Sequence, residues 1–144
     1  MGDDVVGKTP RFGWSEVWLL TSISFANQDV GVDLKGLISV GDYINHAIFS
    51  GPELRTGLAK LAFPGYIVER ELHFFLAGRA REFWIEQGKS RMDLRKWQDA
   101  FSKFLSANPY QPGQPAVADD PEWQYPGITD QMVDSAYHEY MQGF

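Results

Sequence analysis

The apolar positions of the chain fall into helical stripes separated by turn-type clusters, with one strand-like stretch between them. Trp14, Val17, Trp18, Thr21 and Phe25 share one stripe, and Leu19, Leu20 and Ile23 fill its flank. A helix apolar over most of its circumference belongs at the centre of a core. Ala26-Asn27-Gln28-Asp29 ends it in turn-type residues. Asp33 is placed to cap a short second helix over 34–40 with Leu34, Leu37 and Ile38 inward. Gly41 is expected to interrupt it, and Asp42 to cap a further turn or two over 43–49. Ser50-Gly51-Pro52-Glu53 is a strong helix start: the serine accepts from an early amide, the glutamate reaches back, and the proline loses nothing in the first turn. Leu54, Leu58 and Leu61 then repeat at helical spacing until Pro64-Gly65.

Residues 66–70 and 72–76 (Tyr-Ile-Val-Glu-Arg and Leu-His-Phe-Phe-Leu) read as two strands close enough to form a hairpin. A fourth helix is expected over 79–87, with Ala80, Phe83 and Trp84 inward and Gly88 as a left-handed C-terminal stop. Ser90-Arg91-Met92-Asp93 opens a fifth, with Leu94, Trp97, Phe101, Phe104 and Leu105 on one face. Five of the eight prolines, Pro109, Pro112, Pro115, Pro121 and Pro126, mark 108–127 as a surface strap. Tyr110, Trp123 and Tyr125 suggest that the strap packs against something. A last helix over about 129–142 carries Met132, Val133, Ala136, Tyr137, Tyr140 and Met141 on one side. The expected organisation is an arm (1–12), a domain (13–88), an additional helix (89–107), the strap (108–127) and a terminal helix (128–144). The fold class is mainly α with a small β-hairpin.

Composition narrows the chemistry. At 144 residues the chain suits one domain, and it contains no cysteine. That excludes a disulfide framework, a thiolate metal centre and a cysteine nucleophile. No apolar run approaches the ~18 residues of a spanning helix, and the acidic start Met1-Gly2-Asp3-Asp4 lacks a signal-peptide layout, so no membrane association and a cytoplasmic location are expected. The net charge of −6 is uneven: −3 over 1–50, +3 over 51–103 and −6 over 104–144, where no base occurs. Phosphate binding is therefore disfavoured for the whole chain but not for its middle block.

Helix, short helix, helix and hairpin, with Ser50, Glu53-Leu54, Gly57-Leu58, Leu61 and Gly65-Tyr66-Ile67 in sequence, resembles the winged helix-turn-helix superfamily, in its MarR/PadR-like layout. The resemblance covers residues 14–88. It implies either a DNA-binding transcriptional regulator or a module that binds protein instead. Two features depart from the usual pattern. The segment 41–49 lengthens the turn before the third helix, and that helix carries only Arg55 and Lys60 as bases, with Glu53 beside them.

For double-stranded DNA the candidate contacts are Arg55, Thr56 and Lys60 on the third helix, Arg70 at the wing, and Arg79 and Arg81 beyond it. A positive surface there would favour DNA, and a neutral or apolar one a protein partner. An oligomer or docking face is expected from Leu94, Trp97, Phe101 and Phe104 with Met132, Val133, Tyr137 and Tyr140. The tail docks either within the chain or in a homodimer; its acidic character suits the basic 89–103 segment in either geometry, and the resemblance favours the dimer, since winged-helix regulators commonly dimerise through helices outside the wing.

A third and more distant reading is an enzyme or small-ligand binder using Asp42, Asn45 and His46, which share a helical face if 42–48 is helical. Capping and turn formation explain those residues more simply. Glu69, Glu71 and His73 would be splayed by a turn among them. Asp119, Asp120 and Glu122 lack EF-hand spacing. No phosphate-loop, dinucleotide or nucleophile-elbow motif occurs. No enzyme activity, metal or cofactor is expected.

Overall fold

The computed structural model describes residues 12–26, 28–88, 93–109 and 123–144. The chain is mainly helical with a two-stranded antiparallel hairpin. The order is α1 (Trp14–Phe25), α2 (Leu34–Asn45), α3 (Gly51–Ala62), β1 (Ile67–Arg70), β2 (His73–Leu76), α4 (Gly78–Gln87), α5 (Leu94–Ala107) and α6 (Asp130–Met141).

Helix α1 is the axis of the core, as its continuous apolar character requires, and it packs on α2, α3 and α5. Every residue from Glu16 to Ser24 is buried. Its hydroxyls are accommodated by back-bonding: Thr21 donates to the Val17 carbonyl (2.7 Å), Ser22 to Trp18 (2.8 Å) and Ser24 to Thr21 (2.6 Å). Only the ends of the expected stripe emerge, with Trp14 59% and Phe25 42% exposed.

Helix α2 corrects the reading of 34–49. It runs unbroken through Gly41 to Asn45 and ends at His46 in the left-handed region (φ 54°). Gly41 does not interrupt the helix. It makes room for a ring, because a β-carbon there would lie 2.4 Å from Phe49 Cε2. Phe49 stacks on Trp18 with ring centroids 3.7 Å apart, and the Trp18 indole donates to the Gly41 carbonyl (3.1 Å). Asp42 is accordingly a mid-helix residue and caps nothing.

The start of α3 has the expected capping box: Ser50 Oγ accepts from the Glu53 amide (3.1 Å) and Glu53 accepts from the Ser50 amide (2.9 Å). The hairpin pairs Ile67 with Leu76 through Arg70 with His73. Its two-residue turn, Glu71-Leu72, has both residues at positive φ (52° and 62°), the geometry that favours glycine. The Glu69 carboxylate steadies it by accepting from the Leu72 amide (3.1 Å). On its other edge β2 bridges residue 32, with Val32 and Phe74 exchanging both backbone hydrogen bonds (3.0 and 2.8 Å).

Helix α4 is held by aromatic contacts: Trp84 meets Phe25 and Trp97, and Phe83 meets Phe101 and Phe104. Gly88, expected as a left-handed stop, instead keeps helical angles (φ −56°). The start of α5 is capped by Asp93, which accepts from the Lys96 amide (2.9 Å), while the expected box at Ser90 lies outside the described residues. Among the described residues no helix is long and apolar enough to cross a membrane.

Candidate binding face

Three local starts converge on one face. The N-terminus of α2 is capped by Asp33, which accepts from the Gly36 amide (2.8 Å). The N-terminus of α3 begins at Gly51, and the hairpin tip contributes Glu71, Leu72 and His73. Helix α6 lies across the two helices and borders the hairpin tip. It packs on α2 and α3, and beside it run two open grooves. One, of about 710 Å³, follows Ile48 to Pro52 and α6; the other, of about 570 Å³, lies between Asp33–Lys35, the hairpin tip and α6.

The apolar side of α6 explains its docking: Val133 and Ala136 are buried, and Met132, Tyr137 and Tyr140 are partly buried against the core. A polar frame surrounds them. Asp130 faces Arg55, with Nε–Oδ1 at 3.0 Å and Nη2–Oδ2 at 3.4 Å. Glu139 lies 3.9 Å from Lys35 Nζ, and the Tyr140 hydroxyl donates to Asp42 (2.7 Å). Upstream of α6, the Tyr125 amide donates to the Arg55 carbonyl (3.0 Å) and its hydroxyl to Glu69 (2.8 Å). Trp123 meets Phe63 edge-on and Tyr125 meets Phe74, so both rings pack as the sequence suggested; Tyr110 lies outside the described residues. Burial and the bond to Glu69 push the Tyr125 phenol up to about 12, and the bond to Asp42, then burial, raises that of Tyr140.

The six candidate DNA contacts do not form one free surface. Arg55 is half-buried under α6 and paired with Asp130. Lys60 is half-buried and lies 3.7 Å from Glu16. Thr56 is half-buried, and Arg70 is exposed with its guanidinium 5.2 Å from the Phe75 ring centroid. Arg79 and Arg81 stand on α4, and Arg79 lines a separate groove between α4 and α5.

The expected docking residues are used within the chain. Trp97, Phe101 and Phe104 are buried and Leu94 partly so, with α5 packed on α1; α6 goes to α2 and α3. Two carboxylates of α6, Glu139 and Asp130, thus meet Lys35 and Arg55.

Asp42, Asn45 and His46 are dispersed: Asp42 takes the Tyr140 hydroxyl, the Asn45 and Gln98 amides lie 3.2 Å apart, and His46 closes the helix with its amide on the Asp42 carbonyl. Among the described residues no three His, Asp or Glu converge as a metal site.

One polar group escaped the sequence reading. Glu16 sits in the buried run of α1, 5% exposed, accepts from the Gly13 amide (2.7 Å) and pairs with Lys60. The spacing Gly13-x-x-Glu16, a helix start with a glutamate at its third position, was its only signal.

Comparison with protein-family models, with curated proteins and with solved structures found no match to this chain.

Proposed function

We propose that the chain is a small non-enzymatic protein of winged-helix layout that acts by binding another protein, and that the face built from the starts of α2 and α3 and the hairpin tip is where it does so. The observation that carries this reading is the occupant of that face. A recognition helix would offer bases to phosphates and base edges there. Instead Arg55 is engaged by Asp130 and Lys35 by Glu139, both from a polypeptide helix. The charges beside α6 agree: Lys35 and Arg55 are accompanied by Asp33, Asp42 and Glu71. A face of that balance is poor for a polyanion. The hairpin tip adds a reason of its own. Leu72 is bulky, 41% exposed and left-handed, a combination that costs stability and suits a contact residue.

Three features keep DNA as a second reading. The order helix, helix, helix and hairpin, together with the bridge from Val32 to β2, fits a winged helix. Arg55 stands in the first turns of α3, where such a domain reads DNA.

The experiment that separates them is fluorescence anisotropy of a labelled random duplex over a salt series. The protein-binding reading expects no affinity tighter than about 10⁻⁴ M near physiological salt. Binding in the range of about 10⁻⁴–10⁻⁶ M that weakens steeply with salt would replace it with the DNA reading.

A further inference from the structure

We infer that the α2–α3–hairpin face is a receptor for one kind of ligand, an amphipathic helix with a carboxylate in its first turn, and that α6 is its resident occupant, which a partner protein's helix of the same pattern replaces. The inference rests on the protein-binding reading above and names the partner's chemistry. The recognition pattern is written in the contacts of α6. Asp130 meets Arg55 and abuts the first residue of α3, where a β-carbon on Gly51 would lie 2.5 Å from its Oδ1. Val133 and Ala136 are buried, Tyr137 is partly buried, and Tyr140 donates to Asp42. The ligand therefore needs a carboxylate at its first position and apolar or phenolic side chains three, six, seven and ten residues later, one stripe of an amphipathic helix.

Two observations make α6 replaceable. Its hold is peripheral: Val133 and Ala136 are its buried residues, and its ion pairs to Lys35 and Arg55 are each solvent-exposed on at least one side. It also underfills the face. The groove along Ile48 to Pro52 and the groove at the hairpin tip stay open beside it, with Ile48 and Leu72 still exposed. A helix with larger side chains toward those grooves covers apolar surface that α6 leaves in water.

The test uses the full chain with α6 undocked by Val133→Asp and Ala136→Asp, and a fluorescein-labelled synthetic peptide of residues 123–144 as the probe. A tethered helix competes at an effective concentration on the order of millimolar. The undocked chain is therefore expected to bind the peptide at least tenfold more tightly than the wild type. Arg55→Glu in the undocked chain should weaken it at least tenfold, and a peptide carrying Asp130→Lys should restore it. Circular dichroism and a thermal melt check that the undocked chain is folded. If it is not, Tyr137→Ser with Tyr140→Ser removes only partly buried rings and takes its place. Equal peptide binding by wild-type and undocked chains, or no rescue by the charge swap, overturns the inference. Random duplex DNA titrated into the undocked chain separates the two failures. Salt-sensitive DNA binding gained on undocking overturns the protein-binding reading together with the inference, whereas a failed peptide titration without DNA binding overturns the inference alone.

Discussion

Replacing Gly41 by alanine sets two effects of known sign against each other. In a helix interior the change alone is favourable by about 0.5–1 kcal/mol, because glycine gives up more backbone entropy on folding. At Gly41 the added methyl would lie 2.4 Å from Phe49 Cε2, 2.9 Å from Cδ2 and 3.3 Å from Cζ. Carbon atoms pack at about 3.5–4.0 Å, so the ring has to retreat by more than 1 Å at its closest atom. It has little room, being 2% exposed and stacked on Trp18. Overpacking of this kind costs about 1–3 kcal/mol, and losing the stacked geometry about 0.5–1.5 kcal/mol more. The steric cost wins, for a net loss of about 0.5–4 kcal/mol. At about 3–4 °C per kcal/mol for a chain of this size, the midpoint falls by about 2–16 °C. Gly88→Ala is the matched control. Its backbone is helical and no described residue lies within 4 Å of the new methyl, so it should gain about 0.4–1 kcal/mol. Thermal melts and urea titrations of both variants read the difference. A Gly41→Ala protein as stable as the wild type or more so would refute the reasoning, and with it the role of Gly41 as the seat of Phe49.

Three further outcomes follow from the same contacts. Leu72→Gly should stabilise the fold by about 1 kcal/mol in urea titration, by relieving a left-handed leucine, while weakening any partner that grips the hairpin tip. Glu16→Ala should cost about 1.5–3 kcal/mol in the same assay, since it removes a buried charge-assisted bond to the Gly13 amide and a carboxylate that pairs with Lys60. Tyr125 has a folded pKa of about 12 against 10.0 unfolded, so its contribution is fully present below pH 10 and is lost as pH rises from 10 through 12. The difference between the ultraviolet titrations of the wild type and Tyr125→Phe should therefore show the lost phenol ionising well above pH 10; a difference curve centred near pH 10 would contradict the Tyr125–Glu69 bond.

Much of the fold could be read from local signals, because those signals agreed with tertiary packing. The apolar run of α1, the Ser50–Glu53 box, the leucine stripe of α3 and the aromatic face of α5 all do in the structure what their spacing requires. Gly41 was misread because a glycine inside a helix and a glycine ending one look alike until the ring that needs the space is located. Gly88 was misread for the complementary reason, since its position after a helix did not force positive φ. The candidate face was half legible. Arg55 and the hairpin stood out as candidate contacts to DNA, not to α6, and the apolar side of α6 could be named as a docking surface. What covers what is a non-local fact. The pairs Arg55–Asp130 and Asp42–Tyr140 join residues 75 and 98 positions apart, and no periodicity encodes such a pairing.

The central claim is that α6 closes the α2–α3 face within its own chain, and a cross-link tests it directly. The chain has no cysteine, so Gly51→Cys with Asp130→Cys introduces a single possible disulfide. A β-carbon at 51 would stand 3.6 Å from the Asp130 Cα, within reach of a bridge whose β-carbons sit about 3.5–4.5 Å apart. Oxidised at low protein concentration and run on a non-reducing gel, the variant should form the bond in high yield as a monomer, with faster mobility that reductant reverses. Free thiols, or a cross-linked dimer in place of the monomer, would contradict it.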